Sequence, residues 1–541
     1  MGKVKIPIQN YWLIGLLVLA AVFYLLNWNN LQVGQNNDDA HYVVTAWSLV
    51  NGQGFSLTNY AHIQPETKYP PLFPLLLALP AWFFPGNVDI LKVIPFCFTL
   101  LDVLLLNLFL EKIEVKPLLR QGIVVLFALH PITVSQAAMI MSEPVYLAVL
   151  LMALLYLKRP PLKVRRSETV FGFLAGLLGA VGFLVRIMGL TLLPAAGLAL
   201  LTRKLWWRAT AFGLVFLLVV SIWGYRNLTI GNSGLFGGYE DDVKQAQLQS
   251  NLPEEKGFLP ALKVLARRLP QNTWEEVSAY LPALLVPALP GPGTSVLVVS
   301  ADLPFWEVVI GLGITGLLGL GAFIYARSKG LDTPLWFTAS QLGLLLIWTF
   351  TFQRYYYAVL PFCYLYFLTA IDFLLGKVRV LPHIQAVRPF LTRLKLSENR
   401  FLLTLILLMV LNLYITIYNT INPMKDQMRD FQAGVDWLNQ NTPSDAILMT
   451  NFAPSVWLYA RRPTADYPAW TTSESIQRDI KEKKADFIIL GPDLDHKSPV
   501  TTPSYVQRYL RPFIEQNPGD FLLVYRDLSK ALVIYQVIHS N

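Results

Sequence analysis

The chain has 541 residues, 54% of them hydrophobic and 15% charged, with a formal net charge of +9 and a mean hydropathy of +0.44. That balance excludes an ordinary soluble globular protein, which needs more polar surface to stay dispersed. The apolar residues gather into runs that can cross roughly 30 Å of hydrocarbon as helices. The basic residues fall in short blocks between those runs, which argues against a nucleic-acid partner.

In chain order, the first apolar run, Tyr11 to Leu26, follows Lys3 and Lys5 without a small-residue cleavage site and reads as a retained anchor. Six more spans are expected at Val88 to Leu110, Gly122 to Gln136, Pro144 to Leu157, Val170 to Val185, Ile187 to Leu201 and Ala209 to Tyr225. Four others follow at Phe305 to Ala326, Leu335 to Phe352, Tyr356 to Leu375 and Phe401 to Tyr418, which makes about eleven spans. The blocks Lys112/Lys116/Arg120, Lys158/Arg159/Lys163/Arg165/Arg166, Arg203/Lys204/Arg208, Arg327/Lys329 and Lys377/Arg379/Arg388/Arg393/Lys395 then all face the cytoplasm. This parity requires that Leu72 to Phe83, short and rich in proline, lie along the outer surface instead of crossing. The reading is a multi-pass plasma-membrane protein with a cytoplasmic N-terminus and outer loops 27–87 and 226–304. Cys97 and Cys363 sit inside apolar runs and build no disulfide framework.

Beyond residue 421 the pattern changes. Ala446 to Thr450, Phe487 to Leu490, Phe521 to Tyr525 and Ala531 to Val537 read as strands, with amphipathic helices at Met428 to Leu438 and Ser475 to Glu482. The expected fold class is therefore a polytopic α-helical membrane protein, residues 1–421, carrying a C-terminal extracytoplasmic α/β domain, residues 422–541.

Chemistry is expected on the outer face, where the connections are long. Asn37 and Asp38 open an amphipathic helix, a place where Asn and Asp are good N-caps in any protein. Isolated charges also mark the outer span ends: Glu143, Arg186, Arg226 and Arg354. A helix-end charge can simply snorkel to the interface, but Arg186 stands between two apolar runs, and a cation there calls for an anionic partner, a carboxylate or a lipid phosphate. Together, Asp38, Asp39 and Glu143 face Lys68, Arg186, Arg226 and Arg354. Transfer of a sugar from a lipid phosphate needs one base for the acceptor hydroxyl and cations for the departing phosphate, and this set supplies both.

This constellation resembles the GT-C glycosyltransferases that use polyprenyl-phosphate sugars, the protein O-mannosyltransferase and lipid A aminoarabinose transferase group. The resemblance rests on Asp38-Asp39 in the first outer loop, Tyr69-Pro70-Pro71 before a juxtamembrane helix, Glu143, Arg186 and Arg354-Tyr355. The family pair is commonly Asp-Glu, and the aminoarabinose enzymes place Lys directly before Pro-Pro, where this chain has Tyr69. The resemblance implies an inverting hexosyl- or pentosyltransferase with Asp38 as base and Asp39 and Glu143 in support. It implies that Lys68, Tyr69, Arg186, Arg226, Arg354 and Tyr355 bind donor and acceptor. The long loop 226–304 then resembles the family's lid, and the tail its extracytoplasmic domain. The implied partners are a polyprenyl-phosphate-linked sugar donor and a lipid, glycan or protein acceptor.

Asp38, Asp39 and Glu143 are also the residues that could hold a divalent metal ion, although their spacing matches no fixed ligand motif. No glycine-rich phosphate loop points to nucleotide use. The alternatives are a secondary transporter, which places ionisable groups near the midplane where this chain has mainly Asp102, and a catalytically inactive membrane scaffold.

Overall fold

The computed structural model describes residues 11–158, 164–230, 234, 237–239, 269–289, 304–348, 353–377, 396–423, 427–467, 472–491, 509–527 and 532–538. Apolar runs become helices because a helix satisfies its own backbone. The first half contains α1 (Tyr11–Leu26), α2 (Asp38–Val50), α3 (Leu72–Phe83), α4 (Val93–Lys112), α5 (Pro117–Ala128), α6 (Pro131–Ala137), α7 (Glu143–Leu157), α8 (Arg165–Val185), α9 (Leu192–Thr202) and α10 (Trp206–Ile230). The bundle continues with α11 (Leu281–Leu285), α12 (Phe305–Lys329), α13 (Thr333–Ile347), α14 (Leu360–Lys377) and α15 (Leu396–Ile421). Among the described residues, five helical stretches are long and apolar enough to cross a membrane: Asp89–Lys112, Arg165–Val185, Trp206–Ile230, Phe305–Lys329 and Arg400–Ile421. Six shorter apolar helices accompany them. This is a helical membrane protein.

The run Gly122 to Gln136, read from the sequence as one span, is two helices that meet at 53°. Pro131 cannot donate to the preceding turn, and the His130 ring accepts the Ile132 N–H at 3.1 Å, which caps α6. The bend releases carbonyls that hydrocarbon cannot satisfy. Asn412 Nδ2 donates to Leu126 O at 3.0 Å, Tyr24 Oη to Ala128 O at 2.9 Å and Thr416 Oγ1 to Leu129 O at 2.7 Å. The break is thus held by side chains of α1 and α15.

Close helix packing rests on small residues. A Cβ added at Gly172 or Gly176 would stand 2.3 or 2.6 Å from the carbonyl oxygens of Arg208 and Phe212, so the i, i+4 glycine pair lets α8 and α10 approach backbone to backbone.

One end of the bundle collects Lys116, Lys158, Arg208 and Lys329 from the basic blocks. Lys116 pairs with Asp372 at 2.6 Å, Lys329 with Glu114 at 3.2 Å, Arg208 with Glu168 at 2.8 Å, and Lys158 with Asp332. The helix starting at Glu143 ends next to Lys158, and the helix starting at Arg165 ends next to Arg186. Glu143 and Arg186 therefore lie at the opposite end. Arg159, Lys163, Arg379, Arg388, Arg393 and Lys395 lie outside the described residues, as does much of the loop 226–304. At the site end, α3 buries Phe73, Leu77 and Ala81 and exposes the apolar Leu75, Leu79, Trp82 and Phe83.

The tail forms a five-stranded sheet in the order β4-β3-β5-β7-β6. Two strands between α2 and α3 precede it, β1 (Ser56–Leu57) and β2 (Gln64–Pro65), which pair antiparallel. The sheet strands are β3 (Leu448–Thr450), β4 (Thr464–Asp466), β5 (Phe487–Leu490), β6 (Phe521–Asp527) and β7 (Leu532–Val537). β3 is parallel to β4 and β5, while β7 runs antiparallel to β5 and β6. Helices α16 (Gln427–Asn441), α17 (Ala453–Ala460), α18 (Ser473–Glu482) and α19 (Arg511–Gln516) complete the unit. Alternation along β5 sends Phe487 and Ile489 to one apolar layer with Val435 and Leu438. Ile488 and Leu490 go to the other layer, with Ile476, Ile480 and Phe513. The sheet edge meets the loop between α2 and α3: Thr464 N donates to Asn59 O at 2.7 Å beside a parallel bridge from Tyr60 to Thr464.

Candidate active site

The site is built on the start of α2. The chain enters through two positive-φ residues, Gly34 at 103° and Asn37 at 58°, and this tight approach turns the two following carboxylates apart. Asp39 points back into the loop, where Oδ2 accepts from Gly34 N at 2.8 Å and Oδ1 from Ala40 N at 2.9 Å, and it is buried. Asp38 points the other way and is 24% exposed at its side chain. Its Oδ1 accepts from Tyr69 Oη at 2.6 Å and its Oδ2 from Arg354 Nη2 at 2.7 Å.

Their electrostatics diverge accordingly. Burial pushes the Asp38 carboxyl up, but the Arg354 and Lys68 charges and the Tyr69 hydroxyl overcome it and hold Asp38 below the usual carboxylate range. Burial pushes Asp39 up to about 6 against its two backbone N–H bonds, with the Asp38 charge adding to the rise.

A second cluster sits at the ends of α7 and α8. The chain turns extended at Arg186 as α8 ends, and Arg186 Nη1 lies 3.1 Å from Glu143 Oε2 and 3.0 Å from Ser142 Oγ. Ser142 Oγ is in turn 3.2 Å from Tyr42 Oη, on the turn of α2 after Asp38. Tyr355 joins the clusters, its ring 5.3 Å from the Arg354 guanidinium and 5.4 Å from that of Arg186. The Lys68 ammonium stands 5.7 Å over the Tyr69 ring and 5.6 Å over the Tyr239 ring. Two guanidinium groups and an ammonium thus surround aromatic faces beside one partly exposed carboxylate, an arrangement suited to an anion next to a base.

Neither a protein-family model nor a curated protein sequence matches the chain. Solved structures do. The archaeal oligosaccharyltransferase AglB from Archaeoglobus fulgidus, in complex with an inhibitory peptide and a dolichol-phosphate, aligns with 90% of this chain and 70% of its own, at TM-score 0.57 and 13% identity. ArnT from Cupriavidus metallidurans, bound to undecaprenyl phosphate, aligns with 98% of this chain and 99% of its own, at TM-score 0.56 and 10% identity. The chain has the GT-C fold.

Of the residues singled out in the sequence, the structure brings Asp38, Glu143, Lys68, Tyr69, Arg186, Arg354 and Tyr355 together. Asp39 is adjacent but turned away. Arg226 braces the loop before α3: its Nη1 donates to Glu66 O at 2.8 Å and Asn227 Oδ1 at 3.0 Å, and its guanidinium covers Trp223 at 4.8 Å. Among the described residues, no group of three or more His, Cys, Asp or Glu side chains gathers to hold a metal. Asp38 is held by Arg354, Asp39 by backbone N–H groups and Glu143 by Arg186, so the three acids do not converge on a shared cation.

Sequence reasoning passed over Tyr42, Ser142, Glu66, Tyr239 and Trp348. Glu66 is buried and its Oε1 accepts from Lys68 N at 2.6 Å and Tyr69 N at 3.1 Å, which sets the direction of both side chains. Tyr42 was within reach of pattern reading, four residues after Asp38 on one helix face. Tyr239, whose ring lies 5.9 Å from Trp348, carries no such signal.

Proposed function

We propose that the protein is an inverting glycosyltransferase that moves a hexose or pentose from a polyprenyl-phosphate donor to an acceptor hydroxyl at the extracytoplasmic face of the plasma membrane. The observation that carries this reading is the placement of Asp38, partly exposed and ionised, against Arg354 and within one ring of Arg186. The fold likeness to AglB with dolichol-phosphate and ArnT with undecaprenyl phosphate supports a lipid phosphate as the anion.

In this mechanism, Asp38 takes the proton from the acceptor hydroxyl as its oxygen attacks the anomeric carbon in line. The anomeric C–O bond to phosphate breaks, and its electron pair leaves on the phosphate monoester. Arg186, Arg354 and Lys68 hold the growing negative charge. A phosphate leaving group needs no strong acid, so one base suffices. Asp39 has the higher proton affinity, but both its oxygens are engaged by backbone N–H groups, and a base must first reach its proton. Asp39 instead holds the loop that presents Asp38, and Glu143 orients Arg186.

In the same reading, residues 1–421 form the transmembrane module with about eleven spans, the basic end faces the cytoplasm with the N-terminus, and residues 422–541 form a soluble extracytoplasmic domain. The test is turnover by purified protein in liposomes, offered a panel of radiolabelled polyprenyl-phosphate sugars and hydroxyl acceptors. Transfer from at least one lipid-linked sugar is expected; a protein that binds none and transfers none contradicts the reading.

A further inference from the structure

The C-terminal unit reaches back across more than four hundred positions to the segment that presents the acidic pair. Ser455 and Tyr459 are one turn apart on α17 and share a face. Ser455, fully buried, lies with Oγ 2.9 Å from Gly34 O and 3.3 Å from Asn37 Oδ1. Tyr459 Oη donates to Val33 O at 2.6 Å. Two consecutive carbonyls of the loop are therefore held by one helix of the tail. The loop bends through Gly34 and Asn37, both at positive φ. Asn37 precedes α2, yet its side chain caps no helix N–H and faces Ser455 instead. Gly34, whose carbonyl Ser455 grips, sends its own N–H to Asp39. The face is fastened further by Arg461, whose guanidinium stands 4.5 Å from the Trp47 ring and 5.1 Å from the Trp457 ring.

Asn37, at φ 58° and ψ −41°, lies outside the small left-handed region that asparagine tolerates. Within the loop, Asn37 N donates to Gly34 O at 3.2 Å and Gly34 N to Asp39 Oδ2 at 2.8 Å, and the tail adds the donors of Ser455 and Tyr459 to the Gly34 and Val33 carbonyls. We propose that Ser455 and Tyr459 are positioning residues: through Val33, Gly34 and Asn37 they set the direction in which Asp38 meets the acceptor. This inference rests on the glycosyltransferase reading for its catalytic consequence, but its structural half stands apart from that reading. A base displaced by an ångström costs about 100-fold in rate while leaving substrate affinity alone. In that reading donor affinity rests chiefly on Arg186, which is held by Glu143 and Ser142 and not by the tail.

The experiment compares full-length wild type with Ser455→Ala/Tyr459→Phe, and with Ser455→Thr, which keeps the hydroxyl. Each is measured for kcat, for donor KM and for hydrogen exchange at the amides of Gly34 and Ala40. The double variant is expected to lose about 10- to 100-fold in kcat with donor KM unchanged, and to exchange faster at both amides. Ser455→Thr is expected to stay near wild type on all three measures, and Tyr459→Phe alone, expected to lower kcat and speed exchange at Gly34 with donor KM unchanged, carries the test if the double variant does not fold. Unchanged exchange at Gly34 and Ala40 overturns the inference whatever the activity, as does a raised KM with intact kcat. A wild type that transfers no sugar while the exchange difference is present overturns the transferase reading and leaves the positioning contact established.

Discussion

At the scale of single residues, the account rests on the division of labour between carboxylates and cations. Asp38 is held ionised by Arg354 and Lys68, whereas Asp39 takes up a proton near pH 6. An activity profile governed by Asp38 therefore stays level as the pH falls through about 6 and drops only below the ordinary carboxylate range. If protonation of Asp39 loosens the loop, a partial inflection near 6 accompanies it, and Asp39→Asn removes that inflection. A full loss of activity centred at 6 in wild type would make Asp39 the base. Arg186 sits against Glu143 and Ser142 through a single nitrogen, Nη1, and a guanidinium carries five N–H donors in all. Arg186→Ala is expected to weaken donor binding by about 1.5–3 kcal/mol, the worth of a charge-assisted hydrogen bond. Equilibrium titration with a polyprenyl-phosphate donor reads this directly, and an unchanged Kd removes Arg186 from the cradle.

At the scale of elements, the bend between α5 and α6 shows why a hydropathy run understates a membrane helix. The sequence marks Pro131 as a breaker, but whether a proline kinks or ends a helix depends on who satisfies the freed carbonyls. Here the donors are Tyr24, Asn412 and Thr416, up to 287 positions away. Asn412→Leu and Thr416→Val each strand one carbonyl and are expected to cost about 1–3 kcal/mol, visible as a lower Tm in detergent. Equal stability for both variants would mean that the bend is held otherwise. The tail was more legible: the strands Phe487–Leu490 and Leu532–Val537 announce themselves by dense β-branched and aromatic residues. Strand β4, only Thr464–Asp466, was not seen, because three residues between Pro463 and Tyr467 carry no periodicity and gain their place from pairing with β3.

At the scale of the whole molecule, Lys158 and Arg165 stand at one end of helices whose other ends carry Glu143 and Arg186, and the sidedness expected from charge bias belongs to the proposed orientation. Charge bias is a property of short segments, so it survives in a bare sequence. What bare sequence could not show is which charges meet. Arg226 and Arg354 look alike as lone cations beside an aromatic, yet one braces Glu66 O and the other grips Asp38. The difference lies in long-range packing. The proposed orientation predicts that a cysteine at Gln53, on the site side, is labelled from outside intact cells, and that one at Lys204, in the basic end, is labelled only after permeabilisation. Labelling of both from the same side would dismantle the topology and the shared site with it.

The most direct measurement is single-turnover transfer by Asp38→Asn and wild type in liposomes loaded with the same lipid-linked sugar, with donor binding determined in parallel. The account predicts donor bound at near wild-type affinity and transfer lowered by at least about 100-fold, the scale at which a general base contributes. Transfer at the wild-type rate by Asp38→Asn would contradict it.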